Sequence, residues 1–225
     1  MTNDFGKYMF VKPSELKKII SKQLDMESEL ADKLIKNQMI YNESNLEYSA
    51  RNKYLMRSIK GHVNTATALH IFVVTTNCNM ACVYCQANNG IESSHLVMDK
   101  ETSEHAVDIA LQSPEYCLSF EFQGGEPLLN FNIIKHIVEY AEVHKGMHEI
   151  SYNVVTNLTL LTDEILDFFI EHNFGISTSI DGNELVHNGN RKFIDGAGTY
   201  KKVLKSIEKI RQAGIHVGAI QTTTR

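Results

Sequence analysis

The sequence lacks a basic excess, long apolar runs and a dense set of cysteines, and each gap excludes a class of function. Lys and Arg number 22 against 27 Asp and Glu, a net charge of −5, so no broad cationic face is expected to hold nucleic acid through its phosphates. No stretch approaches the roughly 20 consecutive apolar residues of a membrane helix. The start, Met1-Thr2-Asn3-Asp4, lacks the basic-then-apolar order of a signal peptide. Neither nucleic acid nor a membrane is therefore expected as a partner, and a cytoplasmic location is. Four cysteines in 225 residues are too few for a secreted disulfide scaffold. What is present is ordinary globular composition, 43% hydrophobic and 22% charged. The length suits one domain of barrel size, or a medium domain with a smaller attachment.

Residues 1–66 read as a polar helical segment and connector. Pro13-Ser14-Glu15 is a helix start followed by Leu16, Ile19, Ile20 and Leu24, and Leu30, Leu34 and Ile35 make a second stripe. Residues 67–225 alternate apolar runs with amphipathic stretches. Strands are expected at 70–76, 118–122, 150–155, 176–180 and 217–220. Helices are expected from the Asp99 cap to Ser113, along Ile134, Ile137, Val138 and Ala141, from Asp163 through Ile170, and from Tyr200 to a stop near Gly214. Strand–helix alternation of this kind predicts an α/β fold of parallel strands joined by right-handed crossovers. Five strands cannot close an eight-unit barrel, so the expectation is a partial (β/α) barrel truncated after its fifth strand, the N-terminal part of a longer protein.

Three of the cysteines crowd into eight positions. Cys78, Cys82 and Cys85 follow the first strand with the spacing Cys-x3-Cys-x2-Cys. A loop of this spacing can wrap three thiolates around an iron–sulfur or zinc centre. Three protein ligands, unlike four, leave one position open for chemistry. The same residues also allow a zinc knuckle completed by a histidine such as His70 or His95, or three buried thiols without metal. Cys117, alone before the second strand, reads as a buried small hydrophobe.

With Tyr84 placed between the last two cysteines, the motif resembles the Cys-x3-Cys-x-aromatic-Cys signature of the radical S-adenosylmethionine enzymes. Gln123-Gly124-Gly125-Glu126-Pro127 is similar to that family's Gly-Gly-Glu-Pro motif. The resemblance implies a [4Fe-4S] cluster on Cys78, Cys82 and Cys85, and S-adenosyl-L-methionine chelating its open iron. It implies reductive cleavage to methionine and a 5′-deoxyadenosyl radical, fed by an external electron donor such as flavodoxin or ferredoxin. It places Gly124, Gly125 and Glu126 at the methionine moiety, with the Glu126 carboxylate receiving the ammonium, and adds Tyr84 and Asn157 to the cofactor site. Ser179-Ile180-Asp181-Gly182, His187, Arg191 and Gly196-x-Gly198 resemble the peptide-modifying branch of the family, in which Ser179 contacts the cofactor and Arg191 partners its carboxylate. Taken apart from the family, Asp181-Gly182 is equally turn chemistry, Arg191 a surface charge and His187 a solvent-facing side chain. The approach segment Thr67–Thr75 with Tyr84-Cys85-Gln86 is most similar to the His-Xaa-Ser system radical maturases, which implies a peptide or small-protein substrate. The branch's cysteine-rich extension has no counterpart after Cys117. An inactive fragment and a zinc-binding structural module are the alternative functions.

Overall fold

The computed structural model describes residues 1–3, 6–40, 58, 61, 65–86 and 96–224, and the chain divides into two compact units, Met1–Thr65 and Ala66–Arg225. His95 and most of the expected connector lie outside the described residues.

In the first unit α1 (Pro13–Ile20) and α2 (Glu29–Lys36) stand where the two apolar stripes fall. Pro13 opens α1 at a position whose N–H has no helical partner anyway, and the Lys12 N–H donates to Glu15 Oε2 at 2.7 Å. Ser28 caps α2, its hydroxyl accepting from Ala31 N at 3.2 Å. The stripes differ in use: α2 buries Ala31 and Leu34, whereas α1 buries none of its residues and leaves Leu16 and Ile20 exposed.

The second unit begins with β1 (Leu69–Thr75) and a short strand β2 (Met80–Cys82), then α3 (Lys100–Ala110) and β3 (Cys117–Gly124). A 3-10 turn (Pro127–Asn130) leads into α4 (Phe131–His144), followed by β4 (Glu149–Thr156), α5 (Asp163–Glu171) and β5 (Gly175–Ser179). The described chain ends with α6 (Glu184–Asn190), β6 (Arg191–Phe193), α7 (Tyr200–Gln212) and β7 (Val217–Ile220). Asp99 caps α3 as expected, accepting from Thr102 N at 2.8 Å. Gly214, at φ +79°, ends the α7 segment in the left-handed region.

Among the described residues the sheet has five strands in the order β1-β3-β4-β5-β7, every neighbouring pair parallel, which is the partial barrel. Strand alternation sorts the side chains. Phe72 and Val74, Leu118, Phe120 and Phe122, Tyr152 and Val154, and Ile176 all turn to the helix-covered face and are buried with Ile134, Ile137, Val138 and Phe169. Phe122 stacks on Phe174 at 5.8 Å and Phe174 on Phe169 at 4.7 Å. Each such ring contributes about 1.5–3 kcal/mol by burial alone. His70 shares the phase of Phe72 and packs edge-on to Phe120, so it faces the helices and cannot complete a metal site with the cysteines that follow the strand's far end. Cys117 is exposed, not buried, because Leu118, Phe120 and Phe122 take the inward phase of β3.

Two elements were not expected: α6, and the antiparallel ribbon in which β2 pairs with β6, Cys82 opposite Arg191. The ribbon carries the middle of the cysteine loop to the mouth of the sheet. The loop is also tied by Val83 N to Asn190 O at 2.9 Å.

Candidate functional site

The carboxyl ends of the strands converge on a cavity of about 170 Å³ lined by Cys78, Met80, Cys82, Tyr84, Cys85, Gln123, Gly124, Gly125, Val155, Thr156, Asn157, Ser179 and Arg191. Larger hollows lie at the amino ends, one of about 500 Å³ beside Arg211 and His216, another of about 410 Å³ between Pro114 and His148. Neither gathers thiols or a buried ion pair. In parallel sheets ligands sit at the carboxyl ends, where these thiols converge, and chemistry decides over size.

Burial pushes the Cys78 thiol up to about 11, against the Met80 N–H that bonds its sulfur at 3.4 Å. Burial also raises Cys82, opposed by the positive charge and a hydrogen bond of Arg191. Among the described residues no three His, Cys, Asp or Glu side chains gather closely enough to hold one metal ion. Three thiols lining one cavity can each take their own iron of a multi-iron cluster.

The two glycines also have a duty within the chain. A Cβ on Gly124 would stand 2.3 Å from Thr75 O, and one on Gly125 would stand 2.3 Å from Asn77 O and 2.7 Å from Thr76 O. The backbone they admit is that of the β1 end and the cysteine loop, locked by Gly125 N to Thr75 O at 2.9 Å and Glu126 N to Asn77 O at 2.8 Å. Gly125→Ala is expected to displace Asn77 and with it Cys78, at a cost of about 1–3 kcal/mol from overpacking, read as a lowered urea midpoint. An unchanged midpoint would mean that the close approach is not required.

Glu126 is held by donors of the chain itself. Its carboxylate is fully buried and accepts from Leu128 N at 3.0 Å, Thr156 Oγ1 at 2.6 Å and Asn157 N at 2.7 Å. Burial raises its carboxyl, opposed by those three donors. The side chain braces the wall of the cavity and does not line it.

Asn157 does line the cavity, with much of its amide engaged. Oδ1 accepts from Thr159 N at 2.9 Å and Thr159 Oγ1 at 2.7 Å, while Nδ2 donates to Asn79 Oδ1 at 2.9 Å. Asn79 Nδ2 donates in turn to Thr159 Oγ1 at 2.8 Å. This ring ties the cysteine loop to the β4 end. Asn79 and Thr159 were missed because the tie joins segments distant in sequence.

Asp181 and Arg191 are neither bare turn nor surface. Asp181 is fully buried and Arg191 only 9% exposed, and Arg191 Nε donates to Asp181 Oδ2 at 3.0 Å. Tyr84 donates its phenol to the same oxygen and Thr222 N donates to Oδ1 at 3.0 Å. Burial would raise the Asp181 carboxyl, but the bonds from Tyr84, Thr222 and Arg191 bring it below its ordinary value. His187 is buried, not solvent-facing. Its Nδ1 accepts from Asp181 N at 3.2 Å, so the proton sits on Nε2, 3.0 Å from Thr199 Oγ1. Burial, then the nearby Arg191 charge, lowers its pKa and keeps the ring neutral.

The Radical SAM superfamily model matches residues 72–224. An uncharacterized protein of Methanocaldococcus jannaschii is 33% identical over 154 residues, covering 68% of this chain and 52% of its own length. A cysteine-type anaerobic sulfatase-maturating enzyme of Clostridium perfringens is 29% identical over 163 residues, 70% of this chain and 44% of its own. Among solved structures, native anSMEcpe with bound AdoMet and Cp18Cys peptide aligns with a TM-score of 0.61 at 29% identity, over 69% of this chain and 42% of that one. The chain thus spans about half the length of the relatives it matches.

Proposed function

The chain belongs to the radical S-adenosylmethionine superfamily, whose cofactors are S-adenosyl-L-methionine and a [4Fe-4S] cluster, and on that premise we propose that its cavity serves the post-translational modification of a peptide or small protein. The observation that carries the cofactor part is the meeting of Cys78, Cys82 and Cys85 with Gly124, Gly125, Ser179 and Arg191 on one cavity at the carboxyl ends of the strands. The peptide part is supported by the sulfatase-maturating relative and by the peptide bound to anSMEcpe.

When bound, the two cofactors supply one-electron cleavage chemistry and the hydrogen abstraction that follows. The chain's own residues bind and orient. Cys78, Cys82 and Cys85 would hold the cluster, and Tyr84 would wall the cavity beside it. Arg191 and Ser179 would meet the cofactor carboxylate, and the Gly124-Gly125 backbone its ammonium. Asn157 shapes the β4 side of the cavity through its bonds to Asn79 and Thr159. Electrons would come from an external donor such as flavodoxin or ferredoxin.

The test is anaerobic reconstitution followed by S-adenosyl-L-methionine and a strong reductant. Formation of 5′-deoxyadenosine is the expected result, and mass spectrometry of candidate peptides then reads modification. No 5′-deoxyadenosine from an iron-loaded chain would overturn the proposal.

A further inference from the structure

We propose that Asp181 is the positioning residue of the cavity, a buried carboxylate through which the cysteine loop and Arg191 are held in one arrangement, so that Arg191 meets the carboxylate end of the cofactor. This rests on the reading of the cavity as the S-adenosyl-L-methionine site.

Four segments meet at Asp181. Tyr84 comes from the cysteine loop, Arg191 from β6, Thr222 from beyond β7, and Asp181 itself follows β5. Arg191 is held by several contacts. Its Nε bonds Asp181 at 3.0 Å, its guanidinium carbon lies 5.1 Å from the Tyr84 ring centroid, and its backbone pairs with Cys82 across the ribbon. With Nε committed to Asp181 and a further side-chain hydrogen bond to Cys82, the plane of the guanidinium is set at the edge of the cavity that Arg191 lines. A guanidinium fixed in this way recognises a carboxylate through parallel bonds, a geometry lost when the plane is free to turn.

A second route holds the same two residues. Asp181 N donates to His187 Nδ1, His187 Nε2 meets Thr199 Oγ1, and Thr199 Oγ1 donates to Arg191 O at 2.6 Å. The backbones of both ion-pair partners are therefore tied through a neutral buried histidine. The arrangement is built before any ligand arrives, and removing the Asp181 charge leaves the fork loose in place.

The experiment uses the cluster-loaded chain and two nucleosides. S-Adenosyl-L-homocysteine carries the amino-acid carboxylate and 5′-methylthioadenosine lacks it. Asp181→Asn keeps size and shape but removes the charge. By anaerobic calorimetry it is expected to weaken S-adenosyl-L-homocysteine by about tenfold to a hundredfold, the worth of a charge-assisted bond, and to leave 5′-methylthioadenosine unchanged. Equal weakening of both would mean general damage to the site, and no weakening of either would mean that Arg191 needs no orienter; each overturns the proposal. Should Asp181→Asn not fold, Thr199→Val cuts the outer tie without touching the cavity. It is expected to show the same selective loss at smaller size, and binding equal to wild type overturns the proposal. A wild-type chain that binds neither nucleoside would instead bring down the cofactor reading itself, independently of any variant.

Discussion

Replacing any one of Cys78, Cys82 or Cys85 by alanine is expected to take reconstituted iron from a full cluster to near none, while Cys117→Ala keeps it. The three thiols line one cavity and none has a disulfide partner. A cluster held by three sulfurs has no reserve: with one removed, two irons face solvent and two ligands remain, which is too few to retain it through gel filtration. Burial holds the Cys78 and Cys82 thiols protonated at neutral pH, so iron must displace protons, and loading is expected to quicken as pH rises. Cys117 stands at the opposite end of β3. Seven residues of rise separate it from Gly124, about 23 Å, too far to touch the cavity. Iron, sulfide and visible absorbance after anaerobic reconstitution decide the matter. Iron kept by a Cys82 variant, or lost by the Cys117 variant, would refute the three-ligand assignment.

The strands and crossover helices were legible because each carries its own signal. Val73-Val74 and Phe120-Glu121-Phe122 are β-rich runs, Asp99 is a cap, and Gly214 is a stop. The cysteine loop was legible because its spacing is chemistry in itself. What lay hidden depends on partners remote in sequence. The β2–β6 ribbon is three residues on each side, too short for a periodic signal, and exists because Met80–Cys82 meets Arg191–Phe193 in space. A start for α6 was present in Asn183, whose side chain accepts from Val186 N at 3.1 Å, but Asn after Gly182 reads equally as a turn. Apart from the family pattern His187 reads as solvent-facing, while its burial is set by Asp181, Thr199 and Tyr200, which no local signal joins to it. The duties of Gly124 and Gly125 were half legible: close approach was the right principle, but the approach of the Thr75 to Asn77 backbone joins segments distant in sequence.

Glu126→Gln is expected to destabilise the cofactor-free chain by about 1–3 kcal/mol, with any loss of cofactor affinity following from that. A residue that receives a ligand's ammonium offers a carboxylate to the cavity. This one has zero exposure and offers its oxygens to the protein: Oε1 to Leu128 N and Thr156 Oγ1, Oε2 to Asn157 N. All three partners donate, so an ionised acid matches the site and an amide does not. One end of glutamine must point its own N–H at another donor, leaving either Asn157 N or the other pair without an acceptor inside the core. Glu126→Ala removes every acceptor and is expected to cost more, on the order of 4 kcal/mol, since water can reach a fully buried site only with difficulty. Urea unfolding of the cofactor-free protein reads both, as a lower midpoint at constant slope. The effect at the cavity is indirect. Thr156 and Asn157 form its β4 wall, so a loosened wall weakens nucleoside binding together with stability. If Glu126 instead met the ligand directly, Glu126→Gln would leave the cofactor-free midpoint where it was and lower affinity alone, and that result would return the carboxylate to the binding site.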